Sequence, residues 1–278
     1  MRVLLLGAGG QVGRALAAAL PDAVALTRAD FDITGGGPEP AWDEHEVVVN
    51  AAAHTDVDGA QTPDGRVATW RANASGPALL ADRARRHGFT LVHLSTEYVF
   101  DGRKSGPYTE TDPVAPLSAY GAAKAAGDLA VRGVERHYLV RPTWVVGEGR
   151  NFVRTMLGLA GRGIAPTVVA DQVGRPTFAP DIAAAIVHLL DVGAPHGTYH
   201  VTGGGEPASW ADVARAVFAA AGRDDLAVTD TTTAEYFAGR PDVAPRPLNS
   251  VLDLGRAHAA GVVTPDWQES LVRYVSRS

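Results

Sequence analysis

A tyrosine and a lysine stand four residues apart in the alanine-rich stretch AYGAAKAAGD, residues 119–128. The stretch contains no proline and is predicted to be helical, so Tyr120 and Lys124 share one helix face. A phenol titrates at about pH 10, and a neighbouring cation favours its ionised form and lowers its pKa. The pair therefore predicts acid–base chemistry near neutral pH. A surface tyrosine beside a solvated lysine is the alternative.

The apolar run TLVHLS, residues 90–95, is predicted to be a strand. Ser95 ends this run and Thr96 follows it directly. The carboxyl ends of parallel strands face the ligand crevice of an open α/β sheet. Ser95 and Thr96 are therefore expected near Tyr120, where Thr96 helps to hold a carbonyl oxygen. The hydroxyl group completes a catalytic set of Thr96, Tyr120 and Lys124.

The loop GAGGQVG places Gly7, Gly10 and Gly13 at three-residue spacing between the first predicted strand and the first helix. Glycines there permit a tight turn and close approach of the backbone to a pyrophosphate, and the helix start offers unpaired N–H groups. The position of the loop after RVLLL predicts a dinucleotide site. A sharp structural turn is the alternative.

The second predicted strand ends in Thr27 and Arg28, where NAD-preferring sites carry an acid for the ribose 2′-hydroxyl. Arg28 suits a 2′-phosphate, so we expect NADPH as the cofactor, with NADH also possible. A solvated surface arginine is the competing interpretation.

Short apolar runs alternate with longer alanine-rich segments up to residue 141, which predicts a doubly wound, parallel Rossmann-type α/β sheet. The rhythm changes after Trp144. We therefore predict a dinucleotide-binding domain over residues 1–144 and about 178–206. A smaller α/β substrate lobe is predicted over about 145–177 and 207–278. In that lobe, Ser209 with Asp212 predicts a capping box, and Thr264 with Pro265 predicts another helix start.

Composition narrows the class of protein. The 278 residues carry a formal net charge of −6 and no run of five or six like charges, which argues against nucleic acid or an anionic membrane as a partner. Cysteine is absent, which excludes disulfides and thiolate metal sites. No signal peptide or long apolar span is evident, so we expect a cytoplasmic protein. A metal site is not predicted.

Taken together, these residues resemble the extended short-chain dehydrogenase/reductase family and, more narrowly, the dTDP-4-dehydrorhamnose reductases. The similarity covers nearly the whole chain. It is carried by GAGGQVG, DIT (32–34), NAAAHTDVDGA (50–60), STEYVFDG (95–102), YGAAK, RPTWVVG (141–147), NFVRTML (151–157), DQVGRPT (171–177) and RPLNSVLD (246–253).

The resemblance implies an NADPH-dependent reduction of the C4 ketone of a dTDP-4-keto-6-deoxyhexose, with dTDP-4-dehydro-L-rhamnose as the expected substrate. In that scheme Tyr120 donates a proton to the emerging alkoxide. Lys124 lowers the phenol pKa and holds the nicotinamide ribose, while Thr96 orients the carbonyl. Some relatives use a glutamate for metal-bridged dimerisation where this chain has Ala15, so we expect a monomer or weak homodimer.

The resemblance also implies the remaining contacts. The expected cofactor contacts are Gly7, Gly10, Gln11, Val12, Gly13, Thr27, Arg28, Asp32, Ile33, Ala51, Ala52, Ala53, His54, Thr55, Tyr120 and Lys124. The expected substrate contacts are Val57, Thr96, Glu97, Tyr98, Trp144, Asn151, Arg175 and Arg246, with the two arginines assigned to the diphosphate. For His54, a ring satisfied by other protein groups is an equal alternative.

Three alternatives remain at this point. Family members usually read S-T-D-Y where this chain has Glu97, so a 4-ketoreductase for another dTDP-deoxysugar of an antibiotic pathway is one alternative. A non-catalytic NADP-binding regulatory subunit of the methionine adenosyltransferase type is the second, although the set of Thr96, Tyr120 and Lys124 is intact. Sugar-nucleotide 4,6-dehydratases are disfavoured because Glu97 is followed by Tyr98 rather than a second acid.

Overall fold

The computed structural model describes residues 1–35, 37–240 and 242–277. Its strands are β1 Val3–Leu6, β2 Val24–Leu26, β3 Val47–Asn50, β4 Thr90–Leu94, β5 His137–Arg141, β6 Val145–Val146, β7 Thr167–Val169, β8 Val173–Gly174, β9 Thr177–Phe178, β10 Gly197–His200, β11 Ala208–Ser209 and β12 Thr229–Thr231. Its α-helices are α1 Gln11–Ala19, α2 Pro63–Trp70, α3 Gly76–His87, α4 Ala119–Arg132, α5 Phe152–Gly161, α6 Ala179–Asp191, α7 Trp210–Ala220, α8 Thr233–Tyr236, α9 Gly255–Ala259 and α10 Trp267–Val275.

Six parallel strands form the central sheet in the order β2-β1-β3-β4-β5-β10. The strands β1, β3 and β4 are buried along their whole length, which agrees with their uninterrupted apolar sequences. Side chains of β1 alternate between two cores: Leu5 packs in the core that contains Ile182 of α6, and Leu4 packs in the core that contains Leu80 of α3. Helices therefore cover both faces, and the predicted Rossmann-type fold is confirmed.

A third core lies outside this sheet. It joins α5, α7 and α10 with short two-stranded pairings, β6-β9, β7-β12 and β8-β11, and it includes Val153, Phe218 and Leu271. These elements come from the part of the chain after residue 144, whereas α6 and β10 return to the central sheet. The division into two lobes at the boundaries given above stays a prediction.

Two helix starts test the local analysis. Ser209 caps α7, and its side-chain hydroxyl accepts a hydrogen bond from the backbone N–H of Asp212. The Asp212 carboxylate in turn accepts a hydrogen bond from the backbone N–H of Ser209, so the predicted capping box is confirmed. The start predicted at Thr264 is wrong. The helix α10 is capped by Asp266, whose carboxylate accepts from the N–H of Gln268 at 2.7 Å.

A π-helical turn, Arg71–Ser75, links α2 to α3. Turns of this kind are rare and often lie at functional sites. The turn buries Asn73 beside the carboxyl end of β3. Among the described residues, no helix is long and apolar enough to cross a membrane.

Candidate active site

Two adjoining cavities open at the carboxyl ends of β1, β3 and β4 and share Gly10, Ala51 and Ala53. The central cavity, about 530 Å³, is lined by Gly10, Gln11, Val12, Arg14, Ala51, Ala53, Thr55, Val57, Leu94, Ser95, Thr96, Glu97, Tyr98, Tyr120, Lys124, Pro142, Trp144, Val145, Glu148, Gly149, Arg150 and Trp210. The side cavity, about 370 Å³, is lined by Gly7, Gly9, Gly10, Arg28, Phe31, Asp32, Ile33, Thr34, Ala51, Ala52, Ala53, His54, Ala68, Arg71 and Ala72.

The glycine loop has no room for side chains at its two ends. Gly7 has a φ of +80°, and a Cβ there would lie 2.5 Å from the backbone nitrogen of Ala52. A Cβ on Gly13 would lie 2.0 Å from the Gly7 carbonyl oxygen. The helix α1 starts at Gln11 without a side-chain cap, so its first N–H groups stay available to an anion. The loop therefore fits a dinucleotide pyrophosphate, with Gly13 serving helix packing.

Arg28 and Asp32, which both line the side cavity, form an ion pair. The Arg28 side chain is 83% exposed, and its Nε lies 3.0 Å from Asp32 Oδ2. Thr27 does not line either cavity, because its hydroxyl donates to Asp30 Oδ2 at 2.7 Å. Arg28, Asp32 and Ile33 therefore line the side cavity, and their contacts with the cofactor stay a prediction, whereas Thr27 stabilises the turn that follows β2.

The backbone of His54 is hydrogen-bonded by Asn73, which lies in the π-helical turn. The Asn73 side chain accepts from the backbone N–H of His54 and donates to its carbonyl oxygen, both at 2.8 Å. The His54 ring nitrogen Nδ1 lies 3.0 Å from the Thr69 hydroxyl. His54 thus lines the side cavity with a ring that already has a protein partner.

The helix α4 carries the predicted catalytic pair into the central cavity. Its start is fixed by Ser118, whose hydroxyl accepts from the N–H of Gly121 at 3.1 Å. A Cβ on Gly121 would lie 2.3 Å from the Tyr98 carbonyl oxygen, so the helix approaches the segment after β4 closely. Tyr120 and Lys124 are both buried on this face, and the Tyr120 ring meets the Tyr98 ring edge-on at 5.5 Å.

The electrostatics of the pair differ from the sequence-based expectation. Lys124 Nζ donates to the Leu94 carbonyl oxygen at 2.5 Å, and burial lowers the pKa of Lys124 to about 8. Burial, with a further contribution from Glu97, raises the pKa of Tyr120 well above the ordinary phenol value. Desolvation therefore dominates the pKa of Tyr120 in this structure, and the lowering effect of Lys124 on the phenol stays a prediction.

Thr96 and Glu97 form a buried hydroxyl–carboxyl pair beside Tyr120. Thr96 Oγ1 donates to Glu97 Oε2 at 2.8 Å and accepts from the backbone N–H of Tyr98 at 3.2 Å. Burial raises the pKa of Glu97 to about 7. Glu97 Oε1 is buried without a hydrogen-bond partner among the residues that the structure describes. Oε1 of this carboxyl group can therefore still form a hydrogen bond.

Trp144 holds a strained backbone at the far wall of the central cavity. Its φ of +41° is the one positive value at a non-glycine position in the described ranges. The Trp144 ring stacks on Trp210, with centroids 3.8 Å apart, and Phe152 packs against Trp210 at 4.5 Å. Strain of this kind persists where the surroundings enforce it. The stacked tryptophans therefore fix one wall of the cavity.

The segment after β6 lies against the glycine loop. Gln11 Oε1 accepts from the N–H of Gly147 at 2.8 Å, and Arg14 donates to the Glu148 carbonyl oxygen at 3.0 Å. Asn151, predicted to contact substrate, does not line the cavity. Its side chain caps α5 by accepting from the N–H of Arg154 and donates to the Gly147 carbonyl oxygen, so it shapes this segment instead.

The two arginines assigned to the diphosphate have other roles in this structure. Arg175 lines a separate cavity and donates to the carbonyl oxygens of Gly205 and Leu252, at 2.8 and 3.3 Å. Arg246 lies beside Tyr98 but forms a bidentate pair with Asp58, at 2.5 and 2.8 Å. Neither guanidinium lines the central cavity, so the structure gives no support for a diphosphate contact.

Sequence reasoning missed several residues of the central cavity, chiefly Arg14, Glu148, Arg150 and Trp210. Arg14 lies one turn into α1 after the glycine loop, which was an available signal. Trp210 lies 66 positions after Trp144, and no local pattern links the two. A group of three or more residues able to hold a metal is not found within the described ranges.

The chain matches the family model described as RmlD substrate binding domain over residues 1–278. It is 40% identical to dTDP-4-dehydrorhamnose reductase of Aggregatibacter actinomycetemcomitans, over 97% of each chain. It is 41% identical to a probable dTDP-4,6-dihydroxy-2-methyloxan-3-one 4-ketoreductase of Streptomyces antibioticus, over 98% of this chain and 93% of the relative.

A solved structure agrees with these relatives. The dTDP-4-dehydrorhamnose reductase of Bacillus anthracis, in complex with NADP, superposes with a TM-score of 0.89 at 31% identity, covering 100% of this chain and 99% of that one. Fold, glycine loop and buried tyrosine–lysine pair therefore agree with the full-length family match, and the chain belongs to the RmlD substrate binding domain family.

Proposed function

We propose that this protein uses NADPH to reduce the C4 ketone of a dTDP-4-keto-6-deoxyhexose, with dTDP-4-dehydro-L-rhamnose as its substrate. The observation that carries the proposal is the buried group of Thr96, Tyr120 and Lys124, which lines one cavity together with the glycine loop. The names of the relatives in Aggregatibacter and Bacillus support the same reaction.

The two cavities together suit an extended dinucleotide. The start of α1 offers N–H groups to the pyrophosphate, and the side cavity takes the adenosine end between Ile33 and His54. Arg28 is exposed there and available to a 2′-phosphate, which favours NADPH over NADH. The bound cofactor supplies the hydride, and the protein supplies alignment and a proton.

Tyr120 supplies that proton. Its raised pKa keeps the phenol protonated at neutral pH, and the alkoxide formed at C4 is the stronger base, so the proton moves to the sugar. Lys124, with a pKa of about 8, is mainly an ammonium at pH 7 and stabilises the phenolate left behind. Lys124 also holds the nicotinamide ribose in this proposal, and Thr96 donates a hydrogen bond to the ketone oxygen.

The sugar lies between the carboxyl end of β4 and the stacked tryptophans. Val57, Tyr98 and Trp144 supply its walls, and Glu97 supplies an acidic group beside the ketone. Trp144 and Trp210 pack with the third core, so this proposal places the substrate between the two predicted lobes.

Purified protein incubated with NADPH and a panel of dTDP-4-keto-6-deoxyhexoses tests the proposal. We expect oxidation of NADPH and formation of dTDP-L-rhamnose from the 3,5-epimerised ketone. Turnover confined to a different 4-keto sugar would assign the chain to the 4-ketoreductase alternative, which the name of the Streptomyces relative supports. A protein that binds NADPH and reduces none of the panel would support the regulatory-subunit alternative.

A further inference from the structure

The Thr96 hydroxyl has a single proton, and an ionised Glu97 carboxylate at hydrogen-bonding distance accepts it. Thr96 Oγ1 donates to Glu97 Oε2 at 2.8 Å, while the same oxygen accepts from the N–H of Tyr98. A threonine hydroxyl can donate one hydrogen bond only. As long as Glu97 accepts this bond, Thr96 has no proton to give to a ketone.

The position of Glu97 allows donor and acceptor to exchange roles in its hydrogen bond with Thr96. It is 3% exposed, lines the central cavity and keeps Oε1 without a partner in the described part of the chain. A protonated carboxyl group becomes a donor as well as an acceptor. A proton on Oε2 would then be donated to Thr96 Oγ1, and the Thr96 hydroxyl would turn its own proton toward the cavity.

We propose that Glu97 is a positioning residue that works in its protonated form, donating to Thr96 Oγ1 so that the Thr96 proton is released to the ketone oxygen of the substrate. The inference rests on the proposed function, because it needs a ketone beside Thr96. One proton is taken up from solvent by Glu97, and no covalent bond to carbon changes in this step.

The surroundings allow this protonation at working pH. Burial raises the pKa of Glu97 to about 7. The groups that face it are Tyr98 on its own segment, Tyr120 and Lys124 on α4, and the Arg246–Asp58 pair beyond Tyr98. The two phenols are neutral at pH 7, and the Arg246–Asp58 pair has no net charge. Lys124 is the nearby cation, and its Nζ donates to the Leu94 carbonyl oxygen rather than to Glu97.

The expected signature is a pH profile. The pKa of Glu97 is raised, so the protonated, competent form dominates below about pH 7 and is lost as pH rises. With NADPH saturating, kcat/KM for the sugar nucleotide should fall by about tenfold per pH unit above that point. In Glu97→Gln the amide N–H donates to Thr96 at every pH, so the descending limb that begins near pH 7 disappears, and kcat/KM falls only near the pKa of Lys124, about 8. At pH 8.5, where about 3% of wild-type Glu97 is protonated, this variant should exceed the wild-type kcat/KM by about thirtyfold.

Glu148→Gln is the matched control, since Glu148 lines the same cavity with a side chain that is 76% exposed. This variant should retain the descending limb. Thr96→Val, which has no hydroxyl proton to redirect, should be slow and should lose the limb, whereas Thr96→Ser should keep it.

A measurement without substrate tests the protonation itself. A buried acid with a raised pKa makes the folded state less stable as pH rises from about 4.5 to 7. Glu97→Gln should therefore raise the melting temperature relative to wild type at pH 8.5 and much less at pH 5. Equal differences at both pH values would contradict a raised pKa of Glu97 and overturn the proposal.

The two hypotheses fail in different ways. A wild-type protein that reduces no 4-keto sugar would remove the proposed function. An active wild type whose descending limb survives in Glu97→Gln would remove only the role of Glu97. Loss of the limb in Glu97→Gln and Thr96→Val, with its retention in Glu148→Gln, would support it.

Discussion

The two ends of the crevice differ in how much water reaches them. At the Tyr120 end the ionisable groups are buried, and burial moves the pKa values of Tyr120, Lys124 and Glu97. At the Arg28 end the ion pair with Asp32 is open to solvent on the arginine side. A charge interaction is worth far more where water is excluded. Substitutions should therefore have large effects at the buried end and small, salt-sensitive ones at the open end.

The largest effect is expected at Tyr120. Tyr120→Phe removes the proton donor and keeps the ring, so turnover should fall by about two to four orders of magnitude. The affinity for NADPH, measured by fluorescence titration, should stay close to that of the wild type. Tyr138→Phe removes a buried hydroxyl outside the two cavities and is the matched control. Full activity in Tyr120→Phe would exclude the proposed mechanism.

A buried ion pair joins the helix α4, which carries Tyr120 and Lys124, to the strand β5. Asp128 Oδ2 on α4 accepts from Arg141 Nη2 at 3.0 Å, and both side chains are nearly inaccessible. Asp128→Asn leaves the guanidinium charge buried without its counter-ion, which should cost about 3–5 kcal/mol in the free energy of unfolding. Urea denaturation measures this loss. Asp32→Asn, which disrupts the exposed pair, should shift the midpoint far less; equal shifts would contradict the contrast between the two ends.

An intermediate effect is expected at the stacked tryptophans. Trp210→Ala removes the ring that packs on Trp144, and a stacked aromatic pair is worth up to about 1.5 kcal/mol beyond its buried area. The KM for the sugar nucleotide should rise by about tenfold, with a smaller change in kcat. Trp70→Ala, at an exposed position on α2, serves as the control. A KM unchanged in Trp210→Ala would show that Trp144 needs no such support.

The smallest effect is expected at Arg28. Arg28→Ala should weaken NADPH binding by about two- to fivefold, because exposed ion pairs are weak, and should leave NADH binding unchanged. The loss should shrink at high salt. Arg86→Ala removes a similar exposed i,i+4 pair, with Asp82, outside both cavities and should alter neither affinity. A wild-type preference for NADH would contradict the assignment of Arg28.

The sequence predicted the parts of this molecule that depend on local patterns. Apolar runs marked the parallel strands, and the glycine spacing and the Tyr120–Lys124 spacing marked both ends of the crevice. It failed where long-range packing decides. The pKa of Tyr120 depends on burial, the partner of Arg246 is Asp58 from a distant loop, and Trp210 meets Trp144 only in the folded chain.

The sequence GRPDVAPRP, residues 239–247, predicts a loop on the substrate side, and its position 241 lies outside the described residues. Its described end is anchored by Arg246 and Ala244, which both donate to Asp58 Oδ1. A contact between residues nearly two hundred positions apart leaves no trace in local composition, which is why Arg246 was assigned to the diphosphate instead.

Transfer of label tests the central claim most directly. The protein is incubated with dTDP-4-dehydro-L-rhamnose and NADPH that carries deuterium at nicotinamide C4, prepared as each of the two epimers. Our account predicts that one epimer delivers deuterium to C4 of the sugar, as read by NMR and mass spectrometry, and that Tyr120→Phe suppresses this transfer. Product without label from either epimer, or transfer undiminished in Tyr120→Phe, would contradict it.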